Sequence, residues 1–211
     1  MKVTKHEHAC LVIEKNDEAL VIDPGGFTSP LSDVHGVVAV VITHEHPDHW
    51  TPEQLQRILD ANPGARILGP AGVAAAADGF EVQVVSDGDE VSVGGFALRF
   101  FGTQHNVIHS SLPLVDNTGV LVDGELFHPG DSYTVPPVPV GTLAAPIGAP
   151  WLKIGEAMDY VLTVRPKRAF PIHEATLSQI GKGMHAQRLT WATEQHGGAF
   201  TVLDPLQSID L

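Results

Sequence analysis

The sequence predicts an α/β protein. Short apolar runs of strand length crowd its first half, and strands alternate with helix-length segments in its second. A third observation is the placement of polar chemistry: the densest histidine cluster directly follows the apolar run Val37-Val38-Ala39-Val40-Val41-Ile42. Strand ends are where a rigid scaffold presents functional side chains without disturbing its packed sheet.

Taken in order, the apolar and alternating patterns predict strands near residues 9–14, 19–23 and 37–43. Thr51-Pro52-Glu53 opens a helix at 51–60, with Leu55, Ile58 and Leu59 on one face. A strand at 66–69 and an alanine-rich segment from Ala71 to Ala77 come next, followed by strands around 81–85, 90–93, 96–102, 118–122 and 125–128. The second half predicts a strand at 142–147, a helix at 153–165, a strand at 168–172, a helix at 184–196 and a final strand at 200–203. No linker or repeat interrupts the chain, and 211 residues at 43% hydrophobic content suffice for one core, so residues 1–211 are expected to form a single domain.

Residues Thr43 to Trp50 read THEHPDHW, placing three histidines and an aspartate within six positions. Imidazole nitrogen and carboxylate oxygen suit zinc and, less exclusively, iron or manganese. His44 and His46 can address one ion, while Asp48 and His49, beyond the rigid Pro47, are displaced toward a second. An accidental tract resembling an expression tag has no reason to follow a buried strand.

The H-x-H-x-D-H run resembles the signature of the metallo-β-lactamase superfamily, and the resemblance extends over nearly the whole chain. It implies a four-layer αββα sandwich, two mixed sheets flanked by helices, with a one- or two-metal site at the sheet edges. Leu20-Val21-Ile22-Asp23-Pro24-Gly25 is similar to a strand whose aspartate, Asp23, supports the metal loop without ligating. Phe96-Ala97-Leu98-Arg99-Phe100-Phe101 leads to His105, favoured as the third histidine ligand over His109, which becomes a pocket residue. Pro129-Gly130-Asp131 reads by itself as a turn, but the resemblance makes Asp131 a ligand bridging two metals. Arg168-Ala169-Phe170-Pro171-Ile172-His173 supplies the final ligand, His173. The implied sets are His44, His46, His105 and Asp131 for one ion, and Asp48, His49, His173 and Asp131 for the other. Two divalent ions are expected, zinc first, with manganese or iron as alternatives. Asp48 is also expected to orient the attacking hydroxide.

The proline-rich stretch Pro129 to Trp151 predicts a stiff covering loop, making Tyr133, Trp151 and Lys153 pocket candidates, with Phe27 and Trp50 opposite. Of the remaining histidines, His6, His35, His185 and His196 are expected at the surface. His8, in Glu7-His8-Ala9-Cys10-Leu11-Val12, is the exception, since some members of the superfamily place such an opening strand beside the metal loop. His128 receives no role.

Twelve Lys and Arg against 25 Asp and Glu give a net charge of −13, which argues against nucleic acid as a partner. The lone Cys10 excludes an intrachain disulfide and is expected in the core. No apolar run suggests a secretory signal or a membrane span, so a cytoplasmic protein with a small-molecule substrate is expected. Thr103 to His109 is more similar to the branch containing ascorbate-6-phosphate lactonase and the N-acyl-phosphatidylethanolamine phospholipase than to lactamase-like members. That resemblance implies a hydrolase for a small ester, lactone or phosphodiester. A nuclease acting on tRNA ends, or a non-hydrolytic redox or sensor module, are the alternatives.

Overall fold

The computed structural model describes residues 1–211 and contains two seven-stranded sheets. In the first half of the chain run β1 (Lys2–Lys5), β2 (Leu11–Lys15), β3 (Glu18–Ile22), β4 (Val37–Val41), α1 (Pro52–Ala61), β5 (Arg66–Gly69), α2 (Ala71–Ala76) and β6 (Val82–Val84). The second half holds β7 (Glu90–Val93), β8 (Phe96–Phe101), β9 (Gly119–Val122), β10 (Leu126–His128), β11 (Thr142–Pro146), α3 (Ile154–Val164), β12 (Arg168–Ile172), α4 (Gln179–Glu194), β13 (Ala199–Phe200) and β14 (Ser208–Asp210). One sheet orders as β14-β1-β2-β3-β4-β5-β6 and the other as β13-β12-β11-β10-β9-β8-β7.

Alternation along the strands builds three apolar layers. Leu11, Ile13, Leu20, Ile22, Ala39 and Val41 from the first sheet meet Phe96, Leu98, Phe100, Val120, Val122, Phe170 and Ile172 from the second. The opposite face of the first sheet, including Val12, Val21 and Val40, packs with Leu55 and Ile58 of α1 and Val73 of α2. Leu121, Leu143, Ala145 and Ala169 on the outer face of the second sheet cover Tyr160 and Val161 of α3 and Leu189 and Ala192 of α4. Helix, sheet, sheet and helix therefore stack in the four layers expected, and central strands such as β3, β4, β9 and β11 bury both faces.

Four differences from the sequence reading have physical causes. β1 was not expected because its inward position Lys5 is charged; the fully buried ammonium is paired with Glu174 at 2.5 Å, on the loop after β12. β14 is an exposed edge strand with little apolar signal, recruited by pairing with β1. Helix α4 begins at Gln179, earlier than residue 184, because the Ser178 hydroxyl caps it by accepting from Gly181 N–H at 3.1 Å; Gly181 and Gly183 disguise that first turn. The final strand shrinks from 200–203 to Ala199–Phe200.

β3, β4 and β5 run parallel, as do β10, β11 and β12, so their C-terminal ends open toward the same edge of the sandwich. Crevices at such ends collect ligands in α/β sheets.

Candidate metal centre

The loop after β4 brings His44, His46, Asp48 and His49 to that edge. Its close turn depends on Gly25, where an added Cβ would lie 1.7 Å from the Asp48 carbonyl oxygen. Asp23, at the end of β3, anchors the loop by accepting from Thr43 N–H at 2.8 Å, from the Thr43 hydroxyl at 2.8 Å and from His49 Nδ1 at 2.7 Å. β8 delivers His105, the turn after β10 delivers Asp131, and β12 delivers His173. Gly130 is required in that turn: its φ is +63°, and a Cβ would lie 2.4 Å from Asn117 Oδ1. Asp23, His8 and His173 also have positive φ, of 48°, 61° and 61°, a conformation uncommon outside glycine.

Asp131 sits at the centre. His49 Nε2 lies 3.2 Å from its Oδ1, and His105 and His173 Nε2 lie 3.3 and 3.0 Å from its Oδ2. Its backbone N–H donates to Asn117 Oδ1 at 2.9 Å, and Trp151 Nε1 donates to its Oδ2 at 2.8 Å. Ligand atoms within 4.8 Å of one another form three overlapping groups: His44, His46 and His105; His44, His49 and Asp131; and His8, Asp48, His49 and His173. The grouping brings together all seven residues singled out in the sequence and adds His8.

The orientation of the imidazoles decides what the cluster can hold. Asp23 accepts from Nδ1 of His49, the Gly148 carbonyl from Nδ1 of His173 at 2.5 Å, and the Asn106 carbonyl from Nδ1 of His105. The Thr43 hydroxyl, whose proton goes to Asp23, accepts from His44 Nδ1 at 3.1 Å. These Nδ1–H donors leave Nε2 lone pairs aimed inward. Nε2 of His49, His105 and His173, together with Asp131 Oδ1, are buried without any hydrogen-bond partner. His44 Nε2 also faces His46 Nδ1 at 3.1 Å. Lone pairs facing one another and a carboxylate in a dry site repel unless a cation lies among them, so this donor set fits divalent metal ions.

The titration behaviour expresses the same demand for positive charge. Burial opposes protonation of His49, but Asp131 and Asp23 outweigh it and hold the imidazole well above its usual range. His173 is raised to about 9, with burial overcome by Asp131 and Asp48. Burial favours the neutral form of Asp131, yet His49, His173 and His105 drive its carboxyl well below the usual range. At His44 burial and His49 outweigh the pull of Asp131 and hold the imidazole well below its usual range. A proton or a metal ion answers the same field.

The remaining sequence candidates are placed unevenly. Trp151 is buried and its indole N–H is committed to Asp131, so it braces the centre. Tyr133 stacks edge-on against Trp151 at 5.3 Å with its hydroxyl buried and unpartnered. His109 is exposed and turns its Nδ1 to Ser111 of its own loop at 2.8 Å. Trp50 packs in the layer beneath α1, Lys153 is exposed beside Glu156, and Phe27 lies half exposed against His8. Asn117 was missed by sequence reading: its side chain fixes the Asp131 turn by donating to Pro129 O at 2.9 Å as well as accepting from Asp131. Its position just before β9 gives no sign of a partner so far along the chain. His128 is buried and spans the sheets, with Nε2 donating to Ala9 O at 2.8 Å while Nδ1 accepts from Gly130 N–H.

Comparison with known proteins adds four relationships. The model of the Beta-lactamase superfamily domain matches residues 2–173. Protein Rv0786c of Mycobacterium tuberculosis is 38% identical over 198 residues, covering 92% of this chain and 93% of the relative. A UPF0173 metal-dependent hydrolase of Aeropyrum pernix is 29% identical over 203 residues, covering 83% of each. Among solved structures, Igni18, a novel metallo hydrolase from the hyperthermophilic archaeon Ignicoccus hospitalis, has the same fold, with a TM-score of 0.74 at 20% identity over 99% of this chain and 97% of that one.

Proposed function

The chain belongs to the metallo-β-lactamase superfamily, and from that premise we propose that it is a metal-dependent hydrolase of a small ester, lactone or phosphodiester, working with two divalent ions. One observation carries the proposal: buried, unpartnered Nε2 atoms converge on a carboxylate with an unpartnered oxygen of its own. Its Aeropyrum relative, named a metal-dependent hydrolase, supports the same class.

In this reading His44, His46 and His105 hold one ion, Asp48, His49 and His173 hold the other, and Asp131 serves both. Zinc is the first choice for an imidazole and carboxylate set, ahead of manganese or iron. Bound there, such ions would supply Lewis acidity, polarising the oxygen of the carbonyl or phosphoryl group under attack and making water acidic enough to act at neutral pH.

The chain supplies geometry and charge. Asp23, the Thr43 hydroxyl and two backbone carbonyls fix His49, His44, His105 and His173 in one tautomer, so these need no reorganisation when substrate arrives. Asp48, partly exposed at 23% of its side-chain surface, is the carboxylate of the centre that water reaches, suited to orient an attacking water by accepting a hydrogen bond from it. Trp151 and Tyr133 wall the centre beside Asp131 and exclude solvent from that side. A neutral or weakly charged small molecule suits a protein with net charge −13 better than a nucleic acid does.

The test is a screen of zinc- and manganese-reconstituted protein against lactone, ester, thioester and phosphodiester panels. Turnover that requires metal and disappears in His49→Ala is expected. Metal-independent turnover, or oxidation chemistry in place of hydrolysis, would overturn the proposal.

A further inference from the structure

We propose that His8, although grouped with Asp48, His49 and His173, is not a metal ligand but the positioning residue of Asp48, donating Nε2–H to that carboxylate; the inference rests on the metal reading of the centre. His8 lies outside the seven ligands assigned above. It is fully buried, and its Nε2 stands 3.1 Å from Asp48 Oδ2.

The contrast with its neighbours assigns the role. His44, His49, His105 and His173 each have an oxygen acceptor at Nδ1, which places the proton there and frees Nε2 for a cation. At His8 the polarity is reversed, because Nδ1 receives a backbone donor, Ala175 N–H, at 3.4 Å. A neutral imidazole that accepts at Nδ1 carries its proton on Nε2. That nitrogen has no lone pair to give an ion, and its proton points at Asp48.

The rest of His8 holds this direction firm. Its own carbonyl accepts from His173 N–H at 3.0 Å, its ring lies 3.9 Å from the His173 ring, and Phe27 covers another side at 5.0 Å between centroids. The residue turns the chain at φ 61° to reach this place. The β1–β2 turn of the first sheet is thereby tied to the β12–α4 loop of the second, with the Asp48 carboxylate held between them. Rotation of Asp48 is restrained through Oδ2, the oxygen that also lies 3.5 Å from His173 Nε2.

Nitrogen NMR of the histidine side chains in zinc-loaded protein reads the assignment directly, whatever the substrate proves to be. The expected result is a neutral His8 with its proton on Nε2, unlike His49 and His173, which should carry theirs on Nδ1. An Nδ1–H tautomer, or zinc on His8 Nε2, overturns it. As a second arm, chelator competition for the zinc at Asp48, His49 and His173 should show His8→Ala losing roughly 10–100-fold in affinity, the usual cost of removing a partner of a metal ligand. His8→Gln, whose amide N–H reaches the same place, should recover most of that loss. Failure of His8→Gln to do better than His8→Ala, with both variants folded, overturns the role. Zinc bound at two sites with the wrong tautomer would refute this assignment alone; no second zinc in the unaltered protein would refute it together with the dinuclear reading.

Discussion

The two halves of the centre are built differently. His44, His46 and His105 come from one loop plus one strand end, and His46 is only half buried. His49 and His173, with Asp48 between them and His8 beside it, converge from three separate segments, and all three of these histidines are buried. In the first half, local spacing makes the site. In the second, the fold makes it, with an acceptor or donor from elsewhere in the chain at every imidazole. The first half should therefore tolerate the loss of its surroundings better than the second.

Asp131 belongs to both halves and should give the largest effect. In Asp131→Asn the central negative charge is gone while the amide keeps the shape, so both ions should be lost and turnover should fall by more than the roughly 10–100-fold typical of partners outside the ligand set. Elemental analysis beside a kinetic assay would check it; retention of either ion at full occupancy would contradict its shared role.

Next comes Asp23→Ala, which strikes the second half through His49 Nδ1 and also strands Thr43 N–H, a buried donor. We expect a loss of about 1–3 kcal/mol of stability for the stranded donor and a drop of roughly 10–100-fold in affinity for the ion at His49. Chemical denaturation and zinc titration separate the two effects. Equal weakening of both ions would show that the halves are not independently supported.

These expectations bear on what was legible in the chain. His44 to His49 could be read directly because the ligands are neighbours in sequence and follow an unmistakable buried strand. Asp23, His105, Asp131 and His173 were reached only as members of an ordered series, since a Pro-Gly-Asp turn or a strand-ending histidine carries little signal alone. Trp151 and Asn117 were not read as supports of Asp131, because their partners lie 20 and 14 residues away and the bonds exist only after the sheets pack. The same limit explains β1: a lysine on the inward face looks like a loop until Glu174, 169 residues on, neutralises it. Alternation and apolar runs, by contrast, located most of the strands in both sheets.

A subtler contrast lies in pH dependence. In the metal-free protein His173 is raised from 6.5 to about 9. Its stabilising contribution should be fully present below about pH 6.5 and lost as pH rises toward 9. His8 has the opposite sign: burial pushes it from 6.5 down to about 4, so its contribution is present above 6.5 and lost as pH falls through 4. The metal-free protein should accordingly lose melting temperature between pH 6.5 and 9, and zinc loading should flatten that decline because the ions displace the protons. Thermal melts with and without zinc across that range decide it; a decline of the same steepness in both forms would contradict the account.

The smallest effect belongs to His109→Ala. Its imidazole is exposed and bonded within its own loop, so metal content should be unchanged and stability should move by no more than about 0.5 kcal/mol. Depletion of metal in this variant would transfer to His109 the ligand role given to His105.

The central claim, that two distinct halves share Asp131, is tested most directly by counting metal. Protein saturated with zinc, freed of excess and measured for zinc and protein together should hold two ions per chain, because the facing ligands are too many for one tetrahedral ion. In His46→Ala the count should fall toward one while the ion at His49 and His173 remains. A maximum of one ion per chain in the unaltered protein, or the loss of both ions in His46→Ala, would contradict the claim.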